Sequence, residues 1–182
     1  MEKTYNSTKL TLSRKAVYTI LTVVSAVVLP QIVHAVGVLT GTGAVLGQVL
    51  MPMYLPVLIL GFIAGPAAGA VAGILSPLVS FAVTSMPSAA MMPFIATELL
   101  CFGLFAGLLK KVKINPFLKV LSVMIIGRFV RIAATAAAEY LFNSTAVGFM
   151  PTLKIMLAGI PGMLIQLLIV SFAVKNISRS QI

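Results

Sequence analysis

The side chains best suited to binding or catalysis in this chain are charged residues within long apolar runs. Glu98 lies in one run, and Arg128, Arg131 and Glu139 lie in the next. The spacing of the last three places them, with Thr135, on one face of a helix. Because an unpaired charge at the centre of a bilayer costs at least about 2.5–3.5 kcal/mol, this polar stripe is predicted to face the interior of a helix bundle. Glu98 and Arg131 have compatible depths for an ion pair.

Two roles are open for these residues. One is a structural ion pair that fixes two helices, and the other is direct contact of at least one member with a ligand. Arg128 and Arg131 suit a carboxylate or another acceptor-rich group, because a guanidinium presents several donors in a fixed fork. Further candidate ligand contacts are His34, Gln48, Tyr54, Asn143 and Met91, with other methionines as an apolar wall.

The composition excludes an ordinary water-soluble fold. Of the 182 residues, 60% are hydrophobic and 9% are charged, and the mean hydropathy is +1.12, whereas soluble domains carry about 25% charged residues. Intrinsic disorder is excluded too, because it needs low hydrophobicity and high charge. The net charge of +10 does not require a nucleic-acid partner, since runs of about 20 apolar residues indicate an integral membrane protein in a lipid bilayer.

The residue types that are missing narrow the chemistry. The chain has no Asp, one His (His34) and one Cys (Cys101), so it lacks the usual side chains for a zinc site and cannot form an internal disulfide. It also lacks the Gly-x-x-x-x-Gly-Lys-Ser/Thr sequence of a phosphate-binding loop. We therefore expect no catalytic residue, no metal site and no resident cofactor. Metabolic energy, if used, must come from a partner or an ion gradient.

Six apolar segments are each near the length that crosses a hydrocarbon core of about 30 Å. They lack the alternation of barrel strands and must satisfy their own backbone polar groups in lipid, so they are predicted to be helices. The links between them leave no room for a second domain. The sequence thus predicts an all-α integral membrane protein, a single domain over 1–182 with six transmembrane helices at roughly 16–33, 45–64, 66–85, 91–109, 117–142 and 155–174.

The placement of Lys and Arg predicts the orientation. Basic residues cluster before the first segment, between the fourth and fifth, and after the sixth, whereas Lys154 alone lies in an outer loop. Since basic residues favour the cytoplasmic side, both termini are predicted to lie inside the cell. Most prolines then fall in the outer half, where the carbonyls that they free must face protein or a watery cavity. This distribution predicts a cavity that opens outward.

Small residues at four-residue spacing mark positions where two helices can approach closely. Gly65, Gly69 and Gly73 form such a series in the third segment, and internal packing is its favoured role. Thr22 and Ala26 form a weaker pair in the first segment. The sequence does not decide whether that pair packs internally or contacts another subunit.

With these features the chain resembles the substrate-binding (S) component of an energy-coupling-factor (ECF) micronutrient transporter, over nearly its whole length. The resemblance rests on the six-helix size, the basic N-terminus and the order of four stretches. These are LPVL at 55–58, GFIAGPAAG at 61–69, GILSP at 73–77 and ELLCFGLFAGLL at 98–109. The order, rather than any single stretch, carries the resemblance.

The resemblance implies a subunit that binds a vitamin or related micronutrient in an outward pocket formed by the later helices and outer loops. Such proteins associate with a transmembrane coupling subunit and two cytoplasmic ATPases, and topple in the membrane to release the substrate inside. Glu2 stands where the nickel/cobalt branch has a His, so metal-ion transport is disfavoured. The Ala-x-x-x-Ala pattern that docks the coupling subunit is approximated by Thr22 and Ala26.

The sequence therefore predicts a non-enzymatic subunit of an ATP-driven importer that captures a small heterocyclic vitamin, a precursor or a larger tetrapyrrole-like cofactor. The alternative is a self-sufficient ion-coupled carrier or small channel in which Glu98 or Glu139 relays a proton or cation. Against it, the sequence has no internal inverted repeat of the kind that many such carriers show.

Overall fold

The computed structural model describes residues 11–43, 45–142 and 148–179. Within these ranges the chain is built from α-helices and contains no β-strand. The helices are α1 (Leu12–Leu39), α2 (Val45–Leu50), α3 (Tyr54–Ala64), α4 (Pro66–Thr84), α5 (Met92–Leu109), α6 (Pro116–Phe142), α7 (Phe149–Ala158) and α8 (Ile160–Arg179).

Six stretches of this structure are long and apolar enough to cross a membrane. Five are single helices. The remaining stretch, the second along the chain, is formed by α2 and α3 together over Val45–Ala64. The prediction of an all-α six-helix membrane bundle is confirmed. Many large apolar side chains point outward from it, including Phe129 at 70% and Phe172 at 68% exposure, as expected for a surface that contacts lipid tails.

The predicted second helix is broken in the structure. Its two parts meet at residues 51–53, where Met51 has a positive φ of 45° and Pro52 has no backbone N–H to offer. The sequence pattern stayed apolar across this point, so hydropathy alone gave no sign of the break. The consequence is a bent backbone whose carbonyl groups need partners outside their own helix.

Helix α1 begins at Leu12 instead of residue 16, α8 ends at Arg179 instead of residue 174, and two further boundaries differ from the prediction. Helix α1 continues through Pro30 to Leu39 instead of ending near residue 33. The sixth spanning helix begins at Ile160 instead of residue 155, because the preceding residues form the separate short helix α7, which ends before Gly159. Both differences add structure at the same end of the bundle.

Helices α4 and α5 form the closest helix pair. A Cβ added at Gly69 would collide with the backbone of Gly103, and one at Gly73 would collide with the backbone of Leu99. The small-residue series therefore serves packing within the chain, as predicted. Gly65 has a different role: its φ of 94° allows the turn between α3 and α4.

The core lies between α3, α5, α6 and α8, with α1 and α4 packed on one side. Its fully buried apolar side chains include Val57, Leu58, Leu99, Phe102, Val120, Val123 and Val170. This arrangement holds α5 against both α3 and α6. Charged residues in the outer halves of α5 and α6 are thereby brought together inside the bundle.

The end of the bundle opposite these charges carries the basic connections. Lys110, at the end of α5, donates from Nζ to the carbonyl oxygen of Ile63 at 2.6 Å. Partial burial, with repulsion from Lys15 and Lys111, lowers the pKa of Lys110. This is the end that the sequence predicts to be cytoplasmic, so the other end, where α1 meets α2 and α4 meets α5, is the predicted outer end.

Candidate functional site

Glu98 on α5 is fully buried and lies between two arginines of α6. Its Oε1 is 2.7 Å from Nη1 of Arg128, and its Oε2 accepts a hydrogen bond from Nη1 of Arg131 at 2.9 Å. Both arginines are less than a tenth exposed. The predicted Glu98–Arg131 ion pair is present, and Arg128 shares the same carboxylate.

Tyr54, the first residue of α3, completes the group that we call the ionic cluster: Glu98, Arg128, Arg131 and Tyr54. The Tyr54 hydroxyl donates to Oε2 of Glu98 at 2.6 Å and accepts from Nη1 of Arg131 at 3.2 Å. Arg128 also lies over the tyrosine ring, with Cζ 5.3 Å from the ring centroid, a cation–π distance. The carboxylate on α5 thus links this helix to both α3 and α6.

The break between α2 and α3 positions the start of the cluster. Nη2 of Arg128 donates to Sδ of Met51 at 3.0 Å. Gln166 on α8 donates from Nε2 to the carbonyl oxygens of Leu50 and Met51, both at 2.8 Å. A single buried amide therefore donates to two carbonyls at the break in the helix, where backbone groups need partners in lipid. The Met51 carbonyl also accepts from the backbone N–H of Tyr54 at 3.3 Å.

Replacing Gln166 with leucine is expected to lower the free energy of unfolding by about 1–3 kcal/mol. The Leu50 carbonyl loses its side-chain donor, and the Met51 carbonyl keeps only the backbone N–H of Tyr54. Thermal unfolding of the purified chain in detergent micelles measures the change. Leu168→Ala on the exposed face of the same helix is the matched control and should change stability little. Equal stability of the Gln166 variant and the wild type would contradict the assigned role of the amide.

A cavity of about 410 Å³ lies directly beside the ionic cluster, at the predicted outer end. Arg131 and Tyr54 form its inner limit, and exposed residues of α2 and of the α4–α5 connection, such as Gln48 and Ser88, form its rim. The wall is largely apolar. Its members include Met51, Met53, Met86, Met91, Ile95 and Ile155.

The structure brings most of the predicted site residues to this cavity. Its lining includes His34, Gln48, Tyr54, Met91 and Arg131. Glu98 and Arg128 do not line it but hold the residues that do, through the contacts given above. Asn143, also predicted, lies outside the described residues.

Glu139 does not belong to the buried stripe, so that part of the prediction is wrong. Its side chain is exposed near the end of α6, and Oε2 accepts a hydrogen bond from the backbone N–H of Phe149 at 2.7 Å. Phe149 begins α7, whose first N–H groups have no partner within the helix. The carboxylate thus caps α7 instead of joining Arg131 inside the bundle. Thr135 is buried as predicted.

The two residues predicted to face a partner subunit differ in accessibility. Ala26 is fully buried within the chain. Thr22 is half-buried and lines a shallow apolar groove between α1 and α3. In this structure only Thr22 of the pair is available to another protein.

Three polar residues of this region were not among the predicted ligand contacts. Gln31 and Ser80 line the cavity, and Gln166 supports its base. Gln31 lies near the end of the first predicted helix, where a polar residue is common, and a buried Ser is an ordinary residue of membrane helices. A glutamine in the middle of the last apolar run was a usable signal, because a polar amide at that depth needs partners.

The comparisons with known proteins identify no relative. No protein-family model, no curated protein sequence and no solved structure matches this chain. Among the described residues, no group of three or more His, Cys, Asp or Glu side chains comes together as a metal site. The fold and the site thus define a multi-pass, all-α membrane protein with a small-molecule-sized cavity beside a buried ionic cluster.

Proposed function

We propose that the protein is the substrate-binding subunit of an ECF-type ATP-driven importer in the cell membrane. In this role it captures a vitamin or related micronutrient from outside and delivers it inward with a coupling subunit and two ATPases. The observation that carries the proposal is the cavity of about 410 Å³, with Arg131 and Tyr54 at its inner limit. Apolar walls with a few convergent polar groups are typical of small-molecule sites.

The position of the cavity supports capture from outside. Lys15 near the start of α1 and Lys110 and Lys111 after α5 lie at the opposite end of the bundle. The excess of basic residues there favours a cytoplasmic location. A substrate that enters the cavity would therefore come from the external side.

The size of the cavity favours a compact ligand. Its volume lies in the lower part of the range of about 300–1,000 Å³ that is usual for ligand pockets. A single-ring or two-ring vitamin or a precursor fits this volume better than a tetrapyrrole-like cofactor does. The flexible thioethers of Met51, Met53, Met86 and Met91 suit an irregular apolar body.

The geometry gives less support to a self-sufficient ion-coupled carrier. Glu98 is held by two guanidiniums and one hydroxyl, so both of its oxygens are already engaged inside the bundle. Glu139 is bound to the start of α7. Neither carboxylate is placed as a relay in a continuous polar path through the described residues.

Affinity purification from native membranes tests the assignment. The tagged chain, extracted in mild detergent, should bring with it one other membrane subunit and two ATPases, because the sequence has no nucleotide-binding motif of its own. Thr22→Phe in the α1–α3 groove should reduce their recovery. Leu168→Phe on the exposed face of α8 is the matched control and should not.

Two results would contradict the proposal. One is recovery of the chain without any ATPase under conditions that preserve other transporter complexes. The other is substrate flux into liposomes that contain this chain alone, which would identify a self-sufficient carrier.

A further inference from the structure

The ionic cluster contains more positive than negative charge. Glu98 supplies one carboxylate, whereas Arg128 and Arg131 supply two guanidiniums. Neither arginine can release its proton in a protein. The cluster therefore carries one net positive charge in surroundings where all three side chains are less than a tenth exposed. An unbalanced charge in such a place is expensive unless an anion joins it.

No other described carboxylate balances this charge. The chain has three acidic residues, of which Glu98 is already shared and Glu2 lies outside the described residues. Glu139 is exposed and is engaged with the N–H of Phe149. Among the described residues no carboxylate supplies the counter-charge, and the cavity beside Arg131 gives an anion access to the cluster.

Two buried side-chain atoms of the cavity lining have no hydrogen-bond partner among the described residues, and both are donors. Arg131 lines the cavity, is 2% exposed, and its Nε has no hydrogen-bond partner among the described residues. Nε2 of Gln31, on the α1 side of the same cavity, is also buried without a partner there. A ligand that satisfies both groups needs acceptor oxygens.

Accordingly, we infer that the substrate is a small organic acid whose single carboxylate binds at Arg131 while its apolar or aromatic body lies against the methionine wall. This inference rests on the proposed capture function and specifies the substrate class. One negative charge matches the one net positive charge of the cluster. The guanidinium suits a carboxylate, because it presents paired donors in the geometry of the two oxygens.

Matched pairs of acids and neutral analogues test the inference on the purified full chain in detergent. The probes are nicotinate with nicotinamide, biotin with biotin amide, lipoate with lipoamide, and pantothenate with panthenol. Thiamine serves as a cationic probe and pyridoxal 5′-phosphate as a phosphate-bearing one. Thermal stabilisation as a function of probe concentration gives the dissociation constant. At least one acid is expected to stabilise the chain, and its neutral analogue is expected to bind about 30-fold more weakly or worse.

Two variants that break the same ion pair separate ligand contact from a purely structural role. Arg131→Gln should weaken binding of the acid by about 30-fold or more. Glu98→Gln keeps an oxygen for Tyr54 and Arg131 but removes the negative charge that competes with the ligand carboxylate for the arginines. The acid should therefore bind at least about threefold more tightly. A purely structural role predicts weaker binding in both variants. Arg131→Lys, which keeps the charge but loses the fork, should recover part of the affinity.

The possible outcomes distinguish this inference from the function on which it rests. Stabilisation by a neutral analogue or by thiamine as strong as that by any acid would overturn the organic-acid assignment and leave the capture function standing. So would equal weakening by the two variants, and so would a preference for the phosphate-bearing probe. Stabilisation by none of the probes would count against the capture function itself, and the inference would fall with it.

Discussion

Replacement of Glu98 with leucine is expected to lower the free energy of unfolding by about 3–5 kcal/mol, because it leaves two guanidiniums buried without a counter-charge. The structure predicts a large effect for three reasons. The carboxylate is fully buried, it contacts both Arg128 and Arg131, and it accepts the hydroxyl of Tyr54. Thermal or chemical unfolding of the purified chain in micelles would measure the loss.

A combined variant separates charge imbalance from loss of packing. Glu98→Leu with Arg128→Met and Arg131→Met removes all three charges and keeps similar side-chain volumes. It is expected to regain most of the lost stability, because apolar replacement of an entire buried ionic group is often neutral or stabilising. The same loss in the single and triple variants would show that shape, not charge, is responsible.

Replacement of Gly103 with leucine is expected to lower the free energy of unfolding by about 3 kcal/mol or more, and to reduce the yield of folded protein. A Cβ at this position would already overlap the backbone of Gly69, so α4 and α5 would have to separate. Side chains cannot absorb the strain, because the colliding atoms are main-chain atoms. Overpacking in a dense interior has costs of this order.

Ala67→Leu is the matched control for the helix pair. Ala67 lies on α4, as Gly69 does, but is exposed, so a larger apolar side chain should be accommodated in the detergent or lipid. The unfolding temperature and the folded yield of the two variants should differ clearly. A Gly103 variant as stable as the control would mean that the close approach of α4 and α5 is not required for the fold.

The features that the sequence predicted well are those that depend on the cost of polar groups in lipid. Six apolar runs of spanning length predicted six spanning stretches. A carboxylate and two arginines at compatible depths predicted an internal ionic group, because an unpaired charge in lipid has a high free-energy cost and mutual contact lowers it. The small-residue series on α4 predicted close packing for a similar reason.

Features that depend on helix ends and bends were not predictable in the same way. The break at Met51 lies within a run whose hydropathy predicted one continuous helix. It depends on an amide from α8, 115 residues further along the chain. Pro30 does not end α1, although proline often ends helices. Glu139 has the spacing of a buried stripe, yet it lies near the end of α6, where the start of α7 supplies a nearer partner.

The structure explains how local sequence builds the cavity. Gln166 stabilises the bend that separates α2 from α3, and that bend moves Met51 and Pro52 into the cavity lining. Tyr54 then begins α3 at the depth of Glu98. The unusual backbone of the second spanning stretch and the ionic cluster therefore form one unit, which offers Arg131 to a molecule in the cavity.

Mass spectrometry of small molecules retained by the purified full-length chain tests the capture function most directly. The protein, purified from cells grown in rich medium, is expected to carry one vitamin-sized molecule at up to one per chain, and Arg131→Gln is expected to lose it while remaining folded. Recovery of the wild-type chain with no bound molecule, after equilibration with a cell metabolite extract as well, would contradict the assignment of the cavity as a substrate site.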